Sequence, residues 1–431
     1  MKKKRMIALL MALMMCVSIL SACGGTPAPA GGGATPGGGA QQPAGGGGGT
    51  PAPAGGGGGG GGGNEAANLD PIKIGIFGPF TGAVAEYGVA VRDGVTLFIE
   101  QYNAAGGLPN GKLIETFDWD DEHNQVLALT GYNWLVDQGV TAIIGGVTSG
   151  PTLAVVPESF SDNMPMITAS ATAEGVTYDV ENNVVYTNMF RSCFIDPFQG
   201  EKMADFAYNV LGARTAAVIF NTGVDYSIGL KDAFLEKAAA IGLEIVANES
   251  YSNEAVDYQS QLTNIAAKNP DVLFCPDYYQ VVALLSLQAR NAGLNAALLG
   301  ADGWDTVVDV MADPGPVEGS FYCSGYSVED DTPMVQEFLK AFTARFGSEP
   351  NMFAAQGYDA AMILIAAIEK AEETGLEVGS DAYRTAIINA LRETDMDAVT
   401  GHITYDQFNN PVKSAVIIEV RNGEAKFWGK Y

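Results

Sequence analysis

The feature that most constrains this chain is an alternation that begins at Ile72 and continues through most of the remaining sequence. Short apolar runs ending in glycine or proline alternate with longer stretches whose apolar residues recur at helical spacing. Ile72-Lys73-Ile74-Gly75-Ile76-Phe77 ends on Gly78-Pro79; Val91, Val95, Phe98 and Tyr102 then repeat every three or four positions until Gly106-Gly107 stops them. Strands over 113–117, 141–144 and 164–168 alternate with helices over 125–138 and 152–161. Parallel strands require crossover connections, and a helix after each strand supplies them, so this part predicts a parallel sheet with helices on both faces.

A second series starts after Arg191. Its strands cover 216–220, 244–247, 272–274, 297–299 and 320–322, with helices near 197–210, 227–240, 258–268 and 281–292. Residues 70–431 are too many for one comfortable core, so two series imply two doubly wound α/β lobes. After Ser324 the chain turns helical over 334–346, 352–373 and 381–392, and those helices need a surface to pack on, so the chain is expected to recross. His402–Tyr405, Pro411 and 414–420 read as one closing β-hairpin. The expected division is 70–190 with 325–400 in the first lobe and 191–324 with 401–431 in the second.

The segment before the folded part is of a different kind. Lys2, Lys3, Lys4 and Arg5 precede an apolar stretch from Met6 to Ile19, too short to span a bilayer and of the form of a secretory signal. It runs into Leu20-Ser21-Ala22-Cys23, which resembles the lipobox of bacterial lipoproteins; that resemblance implies a signal over 1–23, a diacylglycerol anchor on Cys23 and an extracytoplasmic protein held on the cell membrane. Residues 24–69 are dominated by glycine, alanine and proline and read as a tether, whose span as a flexible coil is about 35 Å.

Composition excludes several classes. With 50 Asp+Glu against 23 Lys+Arg, and a formal charge of −27, nucleic acid is not an expected partner, because phosphate binding needs clustered cations. Of the five cysteines, Cys16 leaves with the signal and Cys23 is the anchor. Cys193, Cys275 and Cys323 remain, an odd number without CxxC spacing. Cys275 and Cys323 close predicted strands and fit core positions, with a single disulfide left open. His123 and His402 are the only histidines, which supplies zinc binding and histidine catalysis poorly. Asp118, Asp120, Asp121 and Glu122 lack the oxygen spacing of a calcium loop and read as a solvated turn.

Against this background six motifs recur in a recognisable order: Gly78-Pro79-Phe80-Thr81-Gly82, Asn103-Ala104-Ala105-Gly106-Gly107, Gly145-Gly146-Val147-Thr148-Ser149, Ser170-Ala171-Thr172, Asp225-Tyr226-Ser227-Ile228-Gly229 and Gly357-Tyr358-Asp359-Ala360. From Ile72 to Trp428 the chain resembles the type I periplasmic binding proteins of the branched-chain amino-acid class. The resemblance implies two doubly wound lobes joined by three crossovers, no cofactor, no catalysis, a monomer, and delivery of a small amino-acid-like ligand to an ABC permease.

Ligands of open α/β sheets sit beyond the carboxyl ends of the strands. Ser149 follows the strand over 141–144, and Ser170 and Thr172 follow the strand ending at Thr168, so hydroxyls gather at one sheet edge where helix amino termini favour an anion. Ser149, Thr172 and, by resemblance, the backbone of Ser170 or Ala171 are the expected carboxylate ligands, with a plain helix cap as the alternative for Ser149. In the second series Asp225-Tyr226, Asp277-Tyr278-Tyr279 and Asp302-Gly303-Trp304 each follow a strand. The resemblance makes Asp302 the partner of a ligand ammonium, a charge-assisted bond that strengthens as water leaves. It gives Tyr226, Tyr278 and Trp304 as walls and Tyr87, in the loop after Gly82, as a neighbour of the ligand. Trp304 is bulkier than leucine, isoleucine or valine binders place there, which opens the ligand to other amino acids or an amide. Two readings of other classes stay open: a ligand-sensing receptor with the same clamp, and an envelope hydrolase with Ser149 as nucleophile, although no G-x-S-x-G turn accompanies it.

Overall fold

The computed structural model describes residues 69–431; the expected signal, the Cys23 anchor and the tether up to residue 68 lie outside the described residues. The first series forms β1 (Ile72–Gly78), α1 (Ala85–Ala104), β2 (Ile114–Asp120), α2 (Gln125–Asp137), β3 (Ala142–Ile144), α3 (Ser149–Ser161), β4 (Met166–Thr168), the small hairpin β5 (Tyr178–Asp179) and β6 (Val184–Val185), and β7 (Met189–Arg191). Its sheet runs β2-β1-β3-β4-β7, all parallel. Ile72, Ile74 and Ile76 of β1 enter one hydrophobic core while Phe77 enters a second with Leu135 of α2 and Val155 of α3. A parallel strand covered on both faces needs such a near-continuous apolar run.

The second series forms α4 (Asp196–Asp205), β8 (Thr215–Asn221), α5 (Asp225–Ile241), β9 (Glu244–Tyr251), α6 (Gln259–Ala266), β10 (Val272–Phe274), α7 (Tyr279–Asn291), β11 (Ala297–Gly300) and β12 (Phe321–Ser324). There follow α8 (Pro333–Phe346), α9 (Met352–Glu372), α10 (Asp381–Arg392), the hairpin β13 (Asp395–Ala398) and β14 (Gly401–Thr404), and the hairpin β15 (Val416–Arg421) and β16 (Glu424–Lys430). The second sheet runs β9-β8-β10-β11-β12-β15-β16, with the last hairpin antiparallel on its edge. The closing segment is therefore two hairpins instead of one. Residues 401–411 also stay with the first lobe, since Asn409 Nδ2 donates to Met189 O at 3.1 Å and Thr177 Oγ1 donates to Asn410 Oδ1 at 3.0 Å. The last passage between the sheets accordingly falls after Val412, not after residue 400.

Helix α9 carries the recrossing. Among the described residues it alone is long and apolar enough to cross a membrane, yet most of it is buried, as befits a core helix. Two glycines seat it on α1: a Cβ on Gly94 would lie 2.0 Å from Ala354 O, and one on Gly357 would lie 2.3 Å from Val91 O. Gly357→Ala must push the two backbones apart, so we expect a loss of about 2 kcal/mol, seen as a lower urea midpoint at unchanged slope. The same helix meets the first two passages between the lobes directly, and the third only through the turn at 399–400. Ser192 Oγ donates to Gln356 O at 2.9 Å, Gly325 N donates to Met352 Sδ at 3.1 Å, and the Asp359 carboxylate accepts from Val399 N at 2.8 Å and Thr400 N at 3.0 Å. Lys413 Nζ adds bonds to Ser192 O and Thr400 Oγ1. Cys193, Cys275 and Cys323 are buried free thiols.

Candidate functional site

In each sheet the strand order reverses about the first strand, β1 between β2 and β3 and β8 between β9 and β10, which opens a crevice at the carboxyl ends of the strands. One pocket between the lobes, nearly filled by the side chains that line it, draws on both crevices. From the first lobe come Ser149, Ser170, Thr172, Val147, Thr148 and the rings of Tyr87 and Phe353; from the second come Tyr226, Tyr278, Asp302 and Gly303. The free space left in it is about 10 Å³, so a ligand of amino-acid size enters only as the lobes part.

The first-lobe wall is built for an anion. Thr148 occupies the cap position of α3 with an extended backbone, and no side chain caps that helix, so its leading amides face the cavity without a side-chain acceptor. Ser149 is the first helical residue, not the cap; its Oγ accepts from Ala173 N at 3.2 Å. Ser170 Oγ donates to Val147 O at 2.7 Å, and the Thr172 hydroxyl is buried without a partner in the protein. Ala171 does not join them: its N–H donates to Thr168 Oγ1 and its carbonyl accepts from Arg191 Nη1, both at 2.9 Å, so both backbone groups are used inside the lobe.

Arg191, at the end of β7, is wholly buried and holds this wall in shape. Its guanidinium donates to Ala171 O, to Ala173 O at 3.2 and 3.1 Å, and to Thr177 Oγ1 at 2.9 Å, clamping the loop that carries Ser170 and Thr172. Strand pairing predicts none of this, and the one signal in the sequence is an arginine closing an apolar tripeptide.

The second-lobe wall is acidic and aromatic. Asp302 is 2 % exposed; its Oδ1 accepts from the Tyr226 hydroxyl at 2.7 Å, whose oxygen in turn accepts from Gly303 N at 2.7 Å. Burial pushes the Asp302 carboxyl up to about 6, against the hydrogen bond from Tyr226 that favours its anion. Tyr226 and Tyr278 stack at 5.0 Å. Of the neighbouring acids, Asp277 accepts from Tyr251 Oη at 2.6 Å and Tyr278 N at 2.7 Å and Asp225 is exposed, while Asp196 is buried with both carboxyl oxygens unbonded and its pKa pushed well up by burial.

Trp304 is a correction. It is 0 % exposed, donates Nε1–H to Cys275 O at 2.8 Å and packs where a Cβ on Gly300 would meet its ring at 2.3 Å. It supports the second lobe from inside instead of walling the cavity, so its bulk sets no limit on the ligand. Tyr87 is also placed differently, on α1 and not in the preceding loop. Its hydroxyl donates to Gly303 O at 2.5 Å and accepts from Tyr279 N at 3.1 Å, two bonds that tie the lobes together in a closed clamp. Its ring stacks on Phe353 at 4.2 Å.

The acidic turn is structural and only partly solvated. Asp120 accepts from Phe80 N at 2.8 Å and Thr81 Oγ1 at 2.7 Å, fixing the loop after β1, while Asp121 is buried and accepts from His123 N at 2.8 Å. His123 bonds Thr148, not Ser149, and His402 lies on β14 between Asp395 and Asp397, so neither histidine serves Ser149 as a base. Val147, Thr148 and Gly303 stand in motifs visible in the sequence but are not among the expected ligand residues, and Phe353, in no such motif, reaches the cavity only because α9 returns to the first lobe.

The model of the periplasmic binding protein family matches residues 71–425. The chain belongs to that family. Among its relatives, the leucine-, isoleucine-, valine-, threonine- and alanine-binding protein of Pseudomonas aeruginosa is 28% identical over 339 residues, covering 78% of this chain and 86% of the relative. Among solved structures, the leucine-binding protein LivK of Thermotoga maritima superposes with a TM-score of 0.75 at 30% identity, covering 83% of this chain and 98% of that one. LivJ of Streptococcus pneumoniae, solved with isoleucine, gives 0.74 at 29% identity, with the same coverage. The relatives are named for the solutes they bind, and this periplasmic binding protein is likewise a binder and not an enzyme. The two-lobe clamp of parallel sheets expected from the sequence is the fold observed.

Proposed function

We propose that this periplasmic binding protein captures the zwitterion of a free amino acid between its lobes and presents it to an ABC permease, held at the outer face of the cell membrane by a lipid on Cys23. One observation carries the reading. One pocket between the lobes sets an uncapped helix terminus and the hydroxyls of Ser149 and Thr172, beside Ser170, against Asp302, a buried carboxylate with no cationic partner among the described residues. An unpaired buried anion is costly, and an α-ammonium removes that cost while the α-carboxylate meets the opposite wall. The ligands named for the Pseudomonas and Streptococcus relatives are of the same class.

Thermal-shift measurements on the exported chain, from Gly24 onward, against the common L-amino acids test this. A ligand at 100 times its Kd stabilises the native state by about 2.7 kcal/mol, so at least one amino acid raises the melting point by several degrees, and their amides and decarboxylated amines do not. No shift with any amino acid refutes the reading. Delivery to a permease is tested separately, by loss of uptake in cells lacking the gene.

A further inference from the structure

With a zwitterion's carboxylate against Ser149, Ser170 and Thr172 and its ammonium against Asp302, the rest of the pocket lining is Val147, Thr148, Tyr278 and Phe353, together with Tyr87, Tyr226 and Gly303, whose polar groups are already hydrogen-bonded. Three of the first four are apolar or aromatic. Thr148 is the exception, and its surroundings are unusual. It stands in the cap position of α3 with φ −103° and ψ 150°, the backbone from which a threonine hydroxyl ordinarily accepts an amide of the first turn, yet it makes no such bond. That forgoes about 1 kcal/mol of helix stability. The hydroxyl instead meets His123 Nδ1 at 2.9 Å.

His123 is held for this contact from three directions. Its backbone is left-handed, at φ 59°, a conformation that costs a non-glycine residue energy. Its N–H donates to Asp121 Oδ1 at 2.8 Å, and the edge of Tyr278 from the other lobe lies against its ring, centroids 5.5 Å apart and planes at 88°. Burial keeps its imidazole below the ordinary histidine range, so it is neutral and offers one donor and one acceptor nitrogen. A hydroxyl has one proton and two lone pairs. With His123 taking one of these positions and the helix none, Thr148 keeps hydrogen-bonding capacity on the cavity side, beside the ligand side chain.

We propose that Thr148, oriented by His123, reads the end of the ligand's side chain and selects a short one carrying a hydroxyl or a carboxamide over a hydrocarbon of the same shape. The inference rests on the amino-acid reading above and adds the class of side chain. Val147 and Phe353 supply the contact that any side chain makes; Thr148 supplies the difference between polar and apolar isosteres. His123 is a positioning residue in this scheme, acting through the threonine hydroxyl.

Titration calorimetry with matched pairs tests it: L-threonine against L-valine, and L-asparagine against L-leucine. The native protein binds the polar member of each pair at least about tenfold more tightly, the discrimination expected of a site that hydrogen-bonds its substrate. Thr148→Val weakens the polar members by about tenfold or more and leaves valine and leucine unchanged or tighter. Thr148→Ser, which keeps the hydroxyl, retains the preference, and His123→Leu reduces it in the same direction. Unliganded melting points of the variants separate a specificity change from a folding defect. Valine and leucine binding as tightly as their polar partners to the native protein overturns the proposal, as does a uniform loss across all four ligands in Thr148→Val. If the native protein binds no amino acid at all, the amino-acid reading itself fails, an outcome distinguishable from an inverted preference among ligands that do bind.

Discussion

Asp302→Ala lowers amino-acid affinity by about 30-fold to several thousand-fold, the 2–5 kcal/mol expected when one partner of a desolvated, hydrogen-bonded charge pair is removed. The loss includes leaving the ligand's ammonium in a closed cavity with no anion to meet it. Asp302→Asn is the sharper variant, because it keeps the shape and the bond from Tyr226 while deleting the charge. The pH dependence separates charge from shape. The carboxyl is pushed up to about 6 by burial, above its ordinary value of 3.8, so the empty site is protonated below that pH and ionised above it. Only the ionised form pairs with an ammonium. Affinity in the native protein is therefore flat above neutrality and falls as the pH drops through 6, by up to about tenfold per unit, as proton release on binding requires. Asp302→Asn is weak throughout and lacks that slope. Calorimetry from pH 5 to 8 in buffers of different ionisation enthalpy reads both the Kd and the proton release. An Asp302→Asn affinity within twofold of native, or an unchanged slope, removes Asp302 from ammonium binding.

Much of the fold was legible because parallel, doubly covered strands leave an unambiguous trace. Ile72–Gly78 and Thr215–Asn221 are runs of apolar residues that suit no surface strand, and the helices between them repeat at their own period. The strands that went unread are those whose pairing is set by tertiary context: β7 is three residues long and ends on an arginine, and β13 is unread, so that β14, read as a strand at His402–Tyr405, finds its partner in β13 instead of β15. Around the cavity, Ser149, Ser170, Thr172, Tyr226 and Asp302 were accessible because sequence position after a strand decides which rim a residue joins. Orientation was not accessible. Trp304 and Tyr226 are both aromatic residues just past a strand, and only the missing side chain of Gly300, which leaves room for the indole inside the lobe, sends the tryptophan inward. His123 lay in a turn whose acids looked solvated, and its approach to Thr148 depends on a left-handed residue that composition does not announce.

Arg191→Met is expected to damage the site from beneath. The arginine has no carboxylate within salt-bridge distance, and besides the more distant carboxyls of Asp196, Asp406 and Glu174 the energy of its burial is offset by what its guanidinium bonds: two carbonyls and one hydroxyl, all buried. Methionine removes the desolvation cost of the cation but leaves Ala171 O, Ala173 O and Thr177 Oγ1 short of donors, at about 1–3 kcal/mol for each group that stays dry. Those penalties exceed the gain, so the protein loses about 3 kcal/mol net and its melting point falls by several degrees. The functional loss is larger than the stability loss alone explains. The loop over 171–177 takes its shape from the planar fork, and Ser170 and Thr172 meet the ligand only while that shape holds, so affinity drops by about tenfold or more even at temperatures where the variant is folded. Arg191→Lys keeps the charge but presents one tetrahedral ammonium to acceptors arranged for a flat donor set, and it shares the binding defect. Calorimetry well below each variant's melting point, with circular dichroism confirming the native fold, distinguishes the two effects. Native affinity in folded Arg191→Lys means that the loop keeps its form without the fork, and the carboxylate wall is then shaped by α3 and β4 alone.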